Sequence, residues 1–236
     1  MLEKHINPQG IDVLIIEGTN VGQRSKSVHS EQEISSQFRQ IMRKYKNVFI
    51  LSSSADADRL WSIYEVYKSS GRPLLCDSYQ KKMLDIIRDG YDPGKPLYRF
   101  KTEDIFDIKT HWTNSKLVKW MHDKGFAMLI RRSDTFQRYL DQVLPCCAPE
   151  ETCIVYSMFK GYIDPGHKAF NQDLYDFVNQ FPNTVFCHTS GHASKECIEK
   201  VCSLINPAIA IIPIHKEISF DLIALPPEVK GKIYND

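Results

Sequence analysis

Three polar residues in this chain, Glu17, His192 and His215, stand just after short apolar runs, Val13–Ile16, Thr184–Cys187 and Ala208–Ile212. Runs of that length and composition read as buried strands, and in an open α/β sheet ligands collect at the carboxyl ends of the strands. The three side chains are therefore expected along one sheet edge. His192 follows Gly191 and directly precedes a helix expected from about Ala193. A helix amino terminus disfavours a protonated imidazole whereas a nearby carboxylate favours it, so a Glu17–His192 pair suits proton donation to a departing oxygen. His188 and Ser190 sit in the same Gly-containing turn, where hydroxyls and backbone N–H groups make a concavity for an anion such as phosphate. Arg59, after the run 47–54, is a further phosphate candidate. Plainer roles stand beside each of these: a loop-bracing carboxylate for Glu17, a hydrogen-bonded loop imidazole for His215, and helix caps for Ser52 to Ser54.

The elements that must position these residues alternate. Val48–Leu51, Pro73–Cys76, Ala127–Ile130, Ile154–Tyr156, Val185–Cys187 and Ile209–Ile212 read as strands covered on both faces. Between them, apolar residues recur at three- and four-residue spacing, as in Ile34-Phe38-Ile41, Leu60-Ile63-Tyr64-Tyr67 and Phe136-Leu140-Val143. The alternation predicts an α/β fold with a mostly parallel sheet and helices on both faces. Ser78, Asn114, Ser133 and Ser194 are placed to cap helix starts, and Gly71, Gly90 and Gly125 to end them. The segment 89–113, with Gly90, Pro93, Gly94 and Pro96, reads as an irregular excursion.

Composition narrows the classes. The 236 residues carry 30 Lys and Arg against 29 Asp and Glu, a net charge of +1, so any binding of nucleic acid must come from local patches. Arg43-Lys44-Tyr45-Lys46, Lys81-Lys82 and Arg131-Arg132 are the candidates, with solvated helix surface as the ordinary alternative. No signal peptide is evident, and no apolar run approaches the ~18 residues that span a bilayer. Seven cysteines without Cys-x-x-Cys spacing favour reduced thiols and a cytoplasmic location. Adjacent Cys146 and Cys147 read as ordinary thiols near a loop, ahead of a redox or metal feature.

Strand-Glu17-Gly18-Thr19, then a long α/β stretch, then Ser190-Gly191-His192-Ala193, then Pro213-Ile214-His215-Lys216-Glu217, resembles the β-CASP branch of the metallo-β-lactamase-fold nucleases, the group that includes ribonuclease J. The likeness extends over nearly the whole chain through Asn47–Ser54 with Asp58-Arg59, Gly71-Arg72-Pro73 and Ile154–Tyr162. It implies residues 1–28 as a metallo-β-lactamase strand and loop carrying Glu17, 29–183 as a β-CASP domain, and 184–236 as the carboxyl-terminal part of the αββα layer. It also implies Glu17 and His192 as catalytic residues, with His192 protonating the leaving group and Glu17 orienting it, and His215 as a zinc ligand. Where ribonuclease J carries its loop for the 5′ phosphate, this chain has Tyr156-Ser157-Met158-Phe159-Lys160-Gly161-Tyr162. Ser157 is the phosphate candidate there, and Tyr156, Phe159 and Tyr162 either stack on bases or pack.

The family's His-x-His-x-Asp-His cluster is missing, since no two of the eight histidines are separated by a single residue. The resemblance therefore implies the carboxyl-terminal part of a two-zinc RNA- or DNA-processing hydrolase, inactive alone and holding no zinc by itself. Its expected partners are RNA or single-stranded nucleic acid, together with a missing amino-terminal half or a second copy covering the strands near Val13–Ile16 and Ile209–Ile212. A non-catalytic nucleic-acid-binding or assembly module is the competing reading. A nucleotide-binding doubly wound domain is weaker, because neither Gly-x-Gly-x-x-Gly nor a Walker loop occurs.

Overall fold

The computed structural model describes residues 10–21, 30–90, 97–111, 114–189, 191–215 and 224–234. In chain order the strands are β1 (Val13–Glu17), β2 (Asn47–Ser52), β3 (Leu74–Cys76), β4 (Ile105–Asp107), β5 (Phe126–Ile130), β6 (Thr152–Ser157), β7 (Thr184–Phe186) and β8 (Ala210–Ile214). The α-helices are α1 (Glu31–Lys44), α2 (Ala57–Lys68), α3 (Ser78–Asp89), α4 (Ile108–His111), α5 (Ser115–Lys124), α6 (Asp134–Val143), α7 (Gln172–Val178), α8 (Lys195–Ile205) and α9 (Pro227–Lys230). They form two compact units, one of residues 29–189 and one of 1–28 with 190–236.

The larger unit is an α/β layer built on a six-stranded parallel sheet in the order β4-β3-β5-β2-β6-β7. Every residue of β2 and β6 is buried, as expected of central strands covered on both faces. Alternate side chains feed two cores. Val48, Ile50, Cys153 and Val155 pack with Ile34, Phe38, Leu60, Ile63 and Leu84 of α1, α2 and α3. Phe49, Leu51, Ile154 and Tyr156 pack with Leu117, Phe136, Leu140 and Phe177 of α5, α6 and α7. The chain runs from β2 towards β4, returns to β5, and then proceeds to β6 and β7 on the far side of β2. The direction of crossover thus reverses beside the β2–β6 pair, the kind of switch point at which α/β sheets open a crevice.

In the smaller unit β1 and β8 pair in parallel, with Val13 opposite Ala210 and Glu17 opposite Ile214. One face packs on α8 and α9 through Ile198, Cys202, Ile211, Leu225 and Val229, with Val21 completing the core and Leu14 and Ile16 against it. On the alternate positions Val13, Ile15 and Ile214 are exposed.

Asn114, Ser133 and Ser194 cap α5, α6 and α8, but α3 is capped by Asp77, whose carboxylate accepts the Gln80 N–H at 2.8 Å, leaving Ser78 as the first helical residue. Two expectations change. Residues 89–113 are not wholly irregular: they hold β4 and α4, and among the described residues β4 is a three-residue edge strand paired to β3. The last segment, expected to open at 184, resumes at 190, because Thr184–Phe186 pairs with Ile154–Tyr156 and falls with the larger unit.

Gly125 ends α5 at φ +75, and a Cβ there would lie 2.0 Å from the Lys46 carbonyl oxygen, which accepts the Phe126 N–H at the start of the β2–β5 pairing. Gly71 has φ +69 with open space around it. Gly125→Ala is expected to lower the urea-unfolding free energy by more than about 2 kcal/mol, and Gly71→Ala by only about 1 kcal/mol, since positive φ alone costs that much. Equal losses would contradict the packing described for Gly125.

Candidate active site

Two polar clusters occupy strand ends, one in each unit. In the smaller unit, β1 delivers Glu17 and a turn follows, closed by Gly18 N–H to the Ile214 carbonyl at 2.8 Å and Val21 N–H to the Gly18 carbonyl at 3.1 Å. Asn20 donates from Nδ2 to the carbonyls of His192 (3.3 Å) and Ala193 (3.1 Å), fixing the turn that leads into α8. Ser194 caps that helix, accepting the Cys197 N–H at 3.2 Å. Between these turns, Glu17 Oε1 accepts the Ala193 N–H at 2.5 Å, and Glu17 Oε2 lies 2.9 Å from Nδ1 of His192. The last contact is at ion-pair distance, and Oε2 is buried. Thr19 Oγ1 stands 3.4 Å from the same Nδ1. Burial raises the Glu17 pKa, but the Ala193 N–H, Thr19 and the His192 charge outweigh it and hold the carboxyl below its ordinary value.

The structure thus brings together Glu17 and His192. His215 follows Ile214 at the same end of the β1–β8 pair, exposed and at φ +55, one position beyond the Glu17–Ile214 register. Ser190, Lys216 and Glu217 lie outside the described residues. Among the described residues, no group of three or more His, Cys, Asp and Glu is arranged to hold a metal ion.

The second cluster stands at the carboxyl ends of β2, β6 and β7. Arg59, in the first turn of α2, is only 1% exposed. Its guanidinium has five N–H groups, and each has a partner. Nε and Nη2 donate to the two carboxylate oxygens of Glu31 at 3.2 and 2.8 Å, Nη2 also donates to the Thr189 carbonyl at 3.4 Å, and Nη1 meets Ser157 Oγ and, at 3.3 Å, His188 Nδ1. Ser62 donates to Glu31 at 3.0 Å, and Ser157 Oγ donates to the Cys187 carbonyl at 2.6 Å. Arg59 and Ser157, expected to contact phosphate, therefore spend their hydrogen bonds inside the fold. For Arg59 to reach a phosphate, the Glu31 pair would have to open.

His188 is half-buried beside this cation. Arginine only donates, so Nδ1 of His188 is the accepting nitrogen and the ring is neutral with its proton on Nε2. Burial and the Arg59 charge both lower its pKa, opposed in part by the Ser157 carbonyl. Sequence reasoning missed Glu31, which pairs with Arg59 from 28 residues away. Its only sequence signal was its place in the first turn of an amphipathic helix, where acids are common for dipole reasons.

No family model matches the chain, and no curated protein matches it.

The His188 assignment has a pH consequence. Its folded-state pKa lies below the ordinary 6.5, so its contribution to stability is complete above that value and is lost as pH falls through the folded-state value. Relative to His188→Gln, the parent chain should lose unfolding free energy as pH falls below the ordinary histidine value of 6.5, as measured by urea denaturation at each pH. Parallel profiles would show that His188 is not held neutral.

Proposed function

We propose that the chain supplies the proton-delivery part of a metal-dependent phosphodiesterase of the β-CASP type, acting on RNA or DNA. In this reading residues 29–189 are the β-CASP domain, and β1, β8 and α8 belong to a metallo-β-lactamase layer. The observation that carries it is the Glu17–His192 contact at 2.9 Å, made by residues from opposite ends of the sequence. Nδ1 faces the carboxylate, so Nε2 is the nitrogen that exchanges a proton with a ligand. A proton leaving Nε2 passes to the departing oxygen as the P–O bond breaks, while Glu17 fixes the ring's tautomer and direction.

His215 is the one metal ligand assigned to this chain. A catalytic zinc takes three protein ligands, so these residues do not fit a complete zinc site. The remaining ligands would come from a second polypeptide, and the exposed Val13, Ile15 and Ile214 fit a face covered by that polypeptide or by a second copy. Arg59 and Ser157 are assigned to supporting the strand ends, with His188 and Ser190 retained as phosphate candidates. Among the described residues no helix is long and apolar enough to cross a membrane; the proposed cytoplasmic location rests on the cysteine usage alone.

The test is complementation with a polypeptide that carries a His-x-His-x-Asp-His cluster. Cleavage of single-stranded RNA or DNA should appear, and His192→Ala should slow it by roughly a hundred- to ten-thousandfold without changing bound zinc. His215→Ala should instead lower the zinc content. Cleavage that survives His192→Ala unchanged, or no cleavage in the complemented mixture, would overturn the proposal.

A further inference from the structure

One surface of the larger unit has no part in the two clusters. Phe159, Tyr162 and Phe186 are 47%, 40% and 42% exposed, a large outlay of aromatic surface at the ends of β6 and β7. Of the three aromatics singled out in the sequence, Tyr156 packs: it is fully buried and lies beneath Phe186 with ring centroids 5.2 Å apart. Phe186 takes its place at the surface.

The segment that holds the rings is built, not slack. Tyr156 donates its hydroxyl to the Phe159 carbonyl at 3.1 Å, and Asn171 N–H closes on the Tyr162 carbonyl at 2.8 Å. Phe159 sets its ring nearly perpendicular to Tyr162 (5.4 Å) and to His167 (5.2 Å). Gly161 makes that approach possible, because a Cβ there would fall 2.3 Å from the Phe159 ring and 2.6 Å from His167 Nδ1. The segment 158–170 carries exposed Lys160 and Lys168 against a single acid, Asp164, and Lys160 Nζ lies 5.7 Å from the centre of the Phe186 ring.

We propose that Phe159, Tyr162 and Phe186, with Lys160 and Lys168, form a stacking surface for the bases of single-stranded nucleic acid. Fixed aromatic faces beside cations match a polymer that offers a planar π-face and a phosphate at every residue. A duplex hides those faces, and a purely apolar protein partner gains nothing from the lysines. The inference rests on the nuclease reading for the identity of the polymer and adds the surface that receives the strand.

The test is fluorescence anisotropy of the full chain with a labelled oligouridylate of about ten nucleotides, an abasic oligomer of equal length and a duplex. The single strand should bind in preference to both controls. Phe159→Leu, which keeps an apolar side chain without a π-face, and Phe186→Ala should each weaken binding roughly five- to a hundredfold, the range for losing one ring–base stack, with unchanged circular dichroism. Phe159→Trp should retain binding, and Lys160→Gln should reduce the salt dependence. No binding of the oligouridylate, equal binding of the abasic oligomer, or parental affinity in Phe159→Leu and Phe186→Ala would each overturn the proposal. The outcomes separate from those of the nuclease reading: if binding falls in these variants while His192→Ala leaves cleavage unchanged, the stacking surface stands and the nuclease reading fails. The reverse pattern fails the surface alone.

Discussion

Parallel pairing of Val13–Glu17 with Ala210–Ile214 is the constraint on which the candidate chemistry depends. Parallel neighbours share a direction, so their carboxyl ends emerge together, and the turns that follow must satisfy each other's backbone groups. Asn20 and Glu17 do this by bonding the backbone of residues 192 and 193, which fixes His192 beside Glu17 before any ligand is present. The ladder has two strands and one small core, a size at which sheets are marginal on their own. The exposed row of Val13, Ile15 and Ile214 is thus the weak side of the arrangement that holds the pair.

The larger unit solves a different problem. A guanidinium that is nearly inaccessible to water is tolerated only if it is paired and hydrogen-bonded throughout, and Arg59 meets both conditions through Glu31, Ser157, His188 and Thr189. These partners come from α1, β6 and the segment after β7, so one side chain ties three elements together at the switch point of the sheet. Burial and the same cation together favour the neutral form of His188. Asp77 plays a lesser version of this role, capping α3 while accepting from Arg131 Nε at 2.6 Å.

Much of this was legible in the sequence, for identifiable reasons. β2 and β6 stand out because strands covered on both faces need continuous apolar runs, and the helices between them because they need one apolar stripe. β4 was hidden because three residues at a sheet edge, near glycines and prolines, carry too little pattern to separate from a loop. Glu17 and His192 were identifiable as strand-end groups, but their partners in the backbone of the opposite turn were not. Arg59 looked like a phosphate contact because a sequence displays a cation without the carboxylate that closes on it. Phe186 went unnoticed as surface, since its strand reads as buried, whereas β7 is an exposed edge.

In the proposed chemistry Glu17 holds His192 with Nδ1 turned inward and Nε2 left to exchange the proton. The most direct measurement is the 15N spectrum of the His192 ring in the intact chain, taken where the imidazole is neutral. A proton on Nδ1 and a bare Nε2, reverting in Glu17→Gln towards the Nε2–H form that free imidazole side chains favour, is expected. A ring already in the Nε2–H form, or one indifferent to Glu17→Gln, would contradict it.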